Sequence, residues 1–326
     1  MTTANILSQL GSPGVSTGFK NRIINGAMAI NQRGTVNTPV TPVNQQYVLD
    51  RFNSNTSQTG KYSIQQSTTA PAGFGYSLLA TSLSAFSVGA SDFFDIFQPI
   101  EGFNFADAAF GTSSAKSITI SFWINASIAG TYGGYLLNPA GSRTCVLSYS
   151  VPVANTWTYV TATVPGDTTG TWVGATNGVG IYIVPISLGC GSTYTSSTTN
   201  TWLNGSYRGF TGQVNMVGTS GSTVYITGLQ VEIGTTATNF EVLDYGRILI
   251  QCQRYYQVLD TLAVVPVVAG VYPSWTYIVS PRTTPTMTYS YAGGTGATFA
   301  IGANGFYQSG NHSIASGFIA YVFAEF

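Results

Sequence analysis

Residues 222–257, STVYITGLQVEIGTTATNFEVLDYGRILIQCQRYYQ, constrain the fold most, because two periodicities meet inside them. Up to Ile233 the stretch alternates as a strand: Val224 and Ile226 share one face, and past Gly228 the apolar phase moves to Leu229, Val231 and Ile233. A strand that keeps its apolar face on one core cannot slip by one residue without an extra residue. The slip therefore predicts a β-bulge at Thr227-Gly228, where glycine tolerates unusual dihedrals. From Gly246 the period turns helical, with Leu249, Cys252, Tyr256 and Leu259 at i, i+3, i+7 and i+10. The stretch closes one β domain and hands the chain, through a short helix, to a second.

Upstream, residues 117–125 alternate most clearly. Ile118, Ile120, Phe122 and Ile124 share one face and Thr119, Ser121, Trp123 and Asn125 the other, as in a half-buried antiparallel strand. Further strands are expected at 22–31, 47–52, 62–66, 76–82, 143–149, 156–164, 178–186 and 213–217, divided by turns rich in Gly, Ser, Thr and Asn. After the helix, 264–269, 275–279, 286–291, 297–300 and 317–326 read as a smaller β unit. Many short strands with almost no helical period before Gly246 mean an antiparallel sandwich or barrel. The expected division is an arm at 1–21, a sandwich at 22–244, a helical linker at 245–259 and a small β domain at 260–326.

Composition narrows the function classes. The 326 residues are 44% hydrophobic, enough for two or three cores. Only 7% are charged, against roughly 25% in ordinary soluble domains, and the formal net charge is zero. Such a chain has no field to steer nucleic acid or anionic lipid. No apolar run approaches the roughly 20 residues of a membrane helix, and residues 1–21 carry no secretory signal pattern. Cys145, Cys190 and Cys252 are too scattered for a disulfide framework or a zinc site and are expected as free, buried thiols, a Cys145–Cys190 bridge being the alternative. The arm, with Ile6, Leu7 and Leu10 before a Gly/Ser/Pro stretch, reads equally as a frayed terminus or as a docking segment that orders on a partner.

KNRIING (20–26) with QRG (32–34), LDRF (49–52), QPIEG (98–102), SFWINA (121–126) and QCQRYY (251–256) resemble, in this order, the signposts of bacteriophage fibre and minor tail proteins. The opening IING and the closing VYITGLQVE are similar to strands of carbohydrate-binding-module jelly rolls, and PRTTPTM (281–287) is similar to the start of the small C-terminal domain in such fibres. The resemblance implies an all-β chain: an antiparallel jelly-roll β-sandwich, a short helix and a smaller C-terminal β domain, in a homotrimer attached to a virion. Location on tail, collar or head stays open. A surface-like composition without an export signal fits a protein made in the host cytoplasm and released by lysis.

Catalytic chemistry is sparse. His312 lies in a Gly/Ser/Asn turn with no nucleophile context around it. Asp92, Asp95, Glu101 and Asp107 offer carboxylates for a glycosidase pair, yet DFFD (92–95) reads more simply as a turn and Glu101 as part of a structural motif. The Gly-rich runs at 11–14 and 293–296 precede no helix and carry no Lys, so they are turns, not phosphate loops. No catalytic residue or cofactor is expected; no spacing demands a metal ion, and a calcium on the sandwich edge, common in jelly rolls similar to this one, stays open. Aromatics are the better lead: sugar rings stack apolar C–H faces on Trp and Tyr while neutral side chains meet their hydroxyls. Trp172, Tyr194, Trp202 and Tyr207, in polar loop contexts, are the glycan-contact candidates; Trp123 and Trp157, in strands, read as packing residues.

Two functions follow: a non-enzymatic virion fibre that binds a host surface glycan, or a purely structural virion component such as a collar, head fibre or decoration protein. Other virion proteins, met through the arm, are the expected partners, with no nucleic acid and no membrane insertion. In residues 317–326 Phe318, Ala320, Val322 and Phe326 fall on one side and Ile319, Tyr321 and Phe323 on the other, so both faces are apolar. Phe318, Ile319, Tyr321, Val322 and Phe323 are accordingly the candidate trimer interface.

Overall fold

A computed structural model describes residues 20–261, 274–292, 298–309 and 316–326. The arm up to residue 19, the expected strand at 264–269, the glycine run at 293–296 and His312 lie outside the described residues. Strands β1 (Gln46–Leu49), β2 (Phe52–Thr56), β3 (Tyr62–Ser67), β4 (Ser77–Ser82), β5 (Phe93–Glu101), β6 (Ile118–Ala126), β7 (Gly130–Leu137), β8 (Arg143–Val151), β9 (Thr158–Val164), β10 (Val179–Cys190), β11 (Thr195–Ser196), β12 (Trp202–Asn204), β13 (Gly209–Phe210) and β14 (Thr223–Ile233) build a jelly-roll β-sandwich. One sheet has seven strands in the order β1-β2-β5-β10-β7-β8-β12, and the facing sheet five in the order β3-β4-β14-β6-β9. Every pairing within these two sheets is antiparallel.

The core lies between the two sheets because each strand turns one phase of its alternation inward. Phe94, Ile96 and Ile100 of β5, Ile181, Ile183 and Ile186 of β10, and Ile118, Ile120, Phe122 and Ile124 of β6 meet there, all buried. Each contributes about 1.5–3 kcal/mol by leaving water. β14 keeps its face inward across the phase slip by a bulge: pairing with β6 breaks between Thr227 and Gln230, and Gly228 takes a φ of +64°.

The expected first strand does not form. Residues 22–31 instead make turns, with Asn25 and Met28 at positive φ, and lie against β14. Two backbone bonds to β14 remain, Arg22 N to Val231 O at 2.8 Å and Leu229 N to Gly26 O at 2.9 Å, and side chains supply the rest: Asn21 Nδ2 donates to Leu229 O at 3.0 Å, Val231 N donates to Asn21 Oδ1 at 3.0 Å, and Gln98 exchanges two bonds with the Ile24 backbone. A Cβ at Gly26 would sit 2.1 Å from Leu229 O, so only glycine allows this approach. Residues 213–217 are also not a strand; a 3-10 turn occupies Met216–Gly218.

Helix α1 (Tyr245–Gln253) starts at Asp244, whose carboxylate accepts from Arg247 N at 3.0 Å. It is shorter than the periodicity predicts. Tyr256 and Leu259 belong to β15 (Tyr256–Thr261), which pairs with β20 (Ser316–Phe323), and β20 pairs in turn with β17 (Thr286–Ala292). β16 (Ser274–Thr276), β18 (Phe299–Ile301) and β19 (Gly305–Gln308) form a second three-stranded sheet. Between them Trp275 stacks on Phe306 and Phe318 at 5.2 and 5.0 Å. Phe318 and Val322 are each 1% exposed in this core, which removes them from the candidate interface set and leaves Ile319, Tyr321 and Phe323, half-buried on the other face of β20. Phe326 is past the strand end and packs on Tyr255 and Arg282.

Candidate functional site

The outer face of the seven-stranded sheet holds a groove of about 260 Å³ over β2, β5, β10 and β7, four adjacent strands. Register explains its lining. Asn53 pairs with Phe97, Tyr182 pairs with Pro99 on one side and Leu137 on the other, and Val184 pairs with Tyr135. These are the outward phases of strands whose inward phases are Ile and Phe. The Phe97 and Tyr182 rings meet edge to face at 5.7 Å. Gln45, Tyr47 and Asn55 continue one wall, and Phe326 lies against the groove from the chain's last segment.

The polar atoms of the groove are partly unmatched. Asn53 is 3% exposed and donates from Nδ2 to Gln45 O, while its Oδ1 has no hydrogen-bond partner; the buried Tyr47 hydroxyl lies beside the Asn53 side chain. Burial pushes the Tyr47 phenol well above its ordinary range, with Glu325 adding to the shift, so it stays a neutral donor. At the far end Asp95, fully buried, accepts from the Tyr135 hydroxyl at 2.9 Å and from Arg208 Nη1 at 2.7 Å. Burial raises the Asp95 pKa against the pull of Arg208. The Arg208 guanidinium, which burial alone would lower, is raised by Tyr135 and Asp95. Arg208 is held over the Phe93 ring at 3.9 Å and near Tyr194 at 5.4 Å.

The loop aromatics do not gather in one place. Trp172 and Trp202 meet edge to face at 5.2 Å, both pack on Phe110, and their indole N–H groups donate to Thr169 O and Pro165 O. They plug one end of the sandwich. Tyr207 lies near them, against Gly205, and its backbone N–H donates to Thr144 Oγ1. The shallow depression beside them, lined by Thr169, Gly170, Thr171, Asn204 and Arg143, has its cation locked by two hydrogen bonds to Asp167. Of the four, only Tyr194 lies beside the groove, against Phe93 and the lining residue Arg208, and it does not line the groove itself.

The four carboxylates are committed to different partners. Asp92 accepts from Gly89 N, Ser57 and Gln58; Asp95 from Arg208; Glu101 from Arg254; and Asp107 from Arg22. Among the described residues no group of three or more His, Cys, Asp or Glu side chains is placed to hold a metal ion. Cys145, Cys190 and Cys252 are buried and free. Burial pushes the Cys145 and Cys190 thiols up to about 12, which keeps them unreactive.

Periodicity misses the groove because β5 and β7 hide from it. In FFDIFQPIE both phases of β5 carry rings or aliphatics, so no alternation shows. In β7, Gly133 and Gly134 look like a turn but admit close neighbours; a Cβ on Gly134 would meet Val184 O at 2.5 Å. The available signal is Tyr182, an aromatic that alternates with the inward Ile181 and Ile183 in IYIV of β10.

No family model matches this chain, and no curated protein matches it in sequence. Among solved structures it is similar to the enzymatically active domain of tailspike protein 4 of bacteriophage CBA120, at 11% identity and a TM-score of 0.37 over 66% of this chain; the match spans 21% of the tailspike chain. It is also similar to a family 11 carbohydrate-binding module from Clostridium thermocellum in complex with a β-1,3-1,4-mixed-linked tetrasaccharide, at 11% identity and a TM-score of 0.30, covering 63% of this chain and all of the module. TmCBM61 in complex with β-1,4-galactotriose matches at 8% identity and a TM-score of 0.29, covering 56% of this chain and 88% of the module.

Proposed function

We propose that the chain is a non-enzymatic bacteriophage virion fibre protein that holds a host cell-surface glycan in the groove on the seven-stranded sheet during adsorption. The observation that carries the binding step is the combination, in one groove, of exposed ring surface with unmatched neutral polar atoms. Phe97 and Tyr182 offer faces and edges to the C–H surface of a sugar. Asn53 Oδ1, buried and unpartnered, costs the fold about 1–3 kcal/mol, which a donated saccharide hydroxyl relieves. The flanking charges cancel, Arg208 against Asp95, and Arg33 and Arg51 against Glu325 and Asp50, which suits an uncharged sugar.

The non-enzymatic part rests on the carboxylates, each tied to an arginine or to N–H and O–H donors rather than paired across the groove. The virion part rests on the ordered motifs within residues 20–257, with the arm at 1–21 as the attachment to other virion proteins.

A glycan array with the purified chain and its Tyr182→Ala and Asn53→Ala variants tests the reading. The wild type is expected to retain a set of neutral saccharides, with affinity falling about tenfold or more in Tyr182→Ala, the equivalent of about 1.4 kcal/mol. Trp172→Ala is expected to keep binding. Absence of binding by the wild type would leave the purely structural role, and shortened polysaccharide in a release assay would make the chain an enzyme.

A further inference from the structure

We propose a second saccharide site on the opposite sheet, an aromatic surface of Trp123, Tyr159, Trp157 and Tyr225 that takes a neutral sugar chain. It stands apart from the groove and does not depend on it. The outer face of the five-stranded sheet follows the phase that β6, β9 and β14 turn away from the core. Trp123 pairs directly with Tyr159 across β6 and β9, and their rings are 5.3 Å apart. Tyr225 pairs with Asn125, and Trp157, one residue ahead of β9, brings its ring to 6.1 Å from Tyr225. None of the four belongs to a hydrophobic core cluster, and Tyr159 is 43% exposed. The strand position that marks Trp123 and Trp157 as packing residues in the sequence thus places them on the outside.

Three features point to a sugar. The outward neighbours Leu79, Thr81, Ser121, Asn125, Thr161 and Thr227 carry no charge, and Glu232, farther along the same phase beside Thr119, is 4% exposed and bound by Gln230 and Thr238, so it is not offered to an ionic ligand. The indoles of Trp172 and Trp202 spend their N–H groups on backbone carbonyls, whereas no hydrogen bond engages the N–H of Trp123 or Trp157 among the described residues. Covered by an apolar protein surface, each such donor would cost about 1–3 kcal/mol; sugar hydroxyls accept from it. Lastly, the rings of each pair are tilted, by 49° and 61°, giving a stepped surface that suits a single hydrated chain rather than a flat crystal face.

The test is calorimetric titration of the full chain with neutral hexasaccharides of β-1,4-linked glucose, β-1,3-linked glucose and β-1,4-linked galactose. For at least one of them two sites per chain are expected. The double variant Trp123→Ala/Tyr159→Ala should lose one site and keep the groove, Tyr182→Ala should lose the other, and Trp123→Phe/Tyr159→Phe, which keeps the rings, should retain stacking. Thermal melting checks that the variants fold. Wild-type stoichiometry in the Ala double variant overturns the proposal. So does light scattering in which that variant breaks up an oligomer without changing sugar uptake, because the face would then be an interface between copies. If Tyr182→Ala changes nothing while the double variant loses its site, the groove reading fails and this one stands. If the wild type binds none of the three sugars, both fail.

Discussion

Glu325 pairs with Arg51 across 274 residues of sequence, where the Arg51 side chain is 1% exposed. Arg51 also donates to Pro99 O at 2.6 Å and lies 3.5 Å from the Tyr255 ring, and Glu325 accepts a second arginine, Arg33, at 2.8 Å. One carboxylate thus ties the last segment to the sandwich beside the groove. Removing it leaves two poorly hydrated cations, so Glu325→Ala is expected to destabilise the chain by about 3–5 kcal/mol. Urea unfolding followed by fluorescence measures this; a loss below about 1 kcal/mol would mean that Asp50 neutralises the arginines unaided.

Asp95 sets the charge of the groove's far end by cancelling Arg208. In Asp95→Asn the amide oxygen can still accept from Tyr135, while Arg208 keeps an uncompensated charge. The variant is expected to gain affinity for uronate-containing oligosaccharides relative to neutral ones of equal length. Affinity electrophoresis compares the two, and an unchanged preference would show that Arg208 does not reach the ligand.

The sandwich was legible from alternation wherever one strand face met water, as in β6 and β9. Gly228 announced the bulge by its phase slip. Alternation failed where rings on the outer phase or tertiary bonding replaced it. β5 carries Phe93 and Phe97 on its outer phase and so looks apolar throughout. Residues 22–31 alternate like a strand, but Asn21, Asn25 and Gln98 supply the backbone's partners and hold turns instead. The helix period ran on to Leu259 because both residues are apolar for other reasons: Leu259 fills the small domain's core, and Tyr256, on the other side of β15, packs on Phe323 and Arg33. Aromatic composition pointed to ring stacking but not to its place, since loop context does not reveal that Trp172 and Trp202 fill the sandwich end.

At Gly228 the left-handed conformation disfavours a side chain, and an added Cβ would lie 2.6 Å from the Phe74 ring, which packs on Phe240. Gly228→Ala is expected to lower stability by about 1–3 kcal/mol. Differential scanning calorimetry checks it, and an unchanged melting temperature would mean that the bulge relaxes to ordinary pairing.

Burial alone would raise the Asp167 carboxyl, but the bonds from Arg143 and from Thr169 outweigh it and hold its pKa below the usual range. A depressed folded pKa contributes stability that is present above the unfolded value, near 3.9, and is lost as pH falls through the folded value. Asp167→Asn should therefore be less stable than the wild type from about pH 5 upward, with the gap closing in more acidic solution. Melting curves from pH 2 to pH 7 test this; a gap independent of pH would assign the loss to packing.

The remaining prediction concerns assembly. On β20, Phe318, Ala320 and Val322 fill the small domain's own core, and Ile319, Tyr321 and Phe323 stand half-buried on the opposite face. β20 is the central strand between β15 and β17, so its edges are paired and what it leaves open is an apolar face; such a face is covered by a partner, and a ring of identical subunits does so without leaving an open surface. Burying three such residues in each chain contributes on the order of 5 kcal/mol before association costs. We expect a homotrimer held through this face, the three-fold order following the fibre proteins that the sequence resembles. Light scattering should give a trimer for the intact chain and a monomer for Ile319→Lys, with thermal melting confirming that the variant is folded. A monomeric wild type, or a variant that remains trimeric, would move the assembly surface elsewhere.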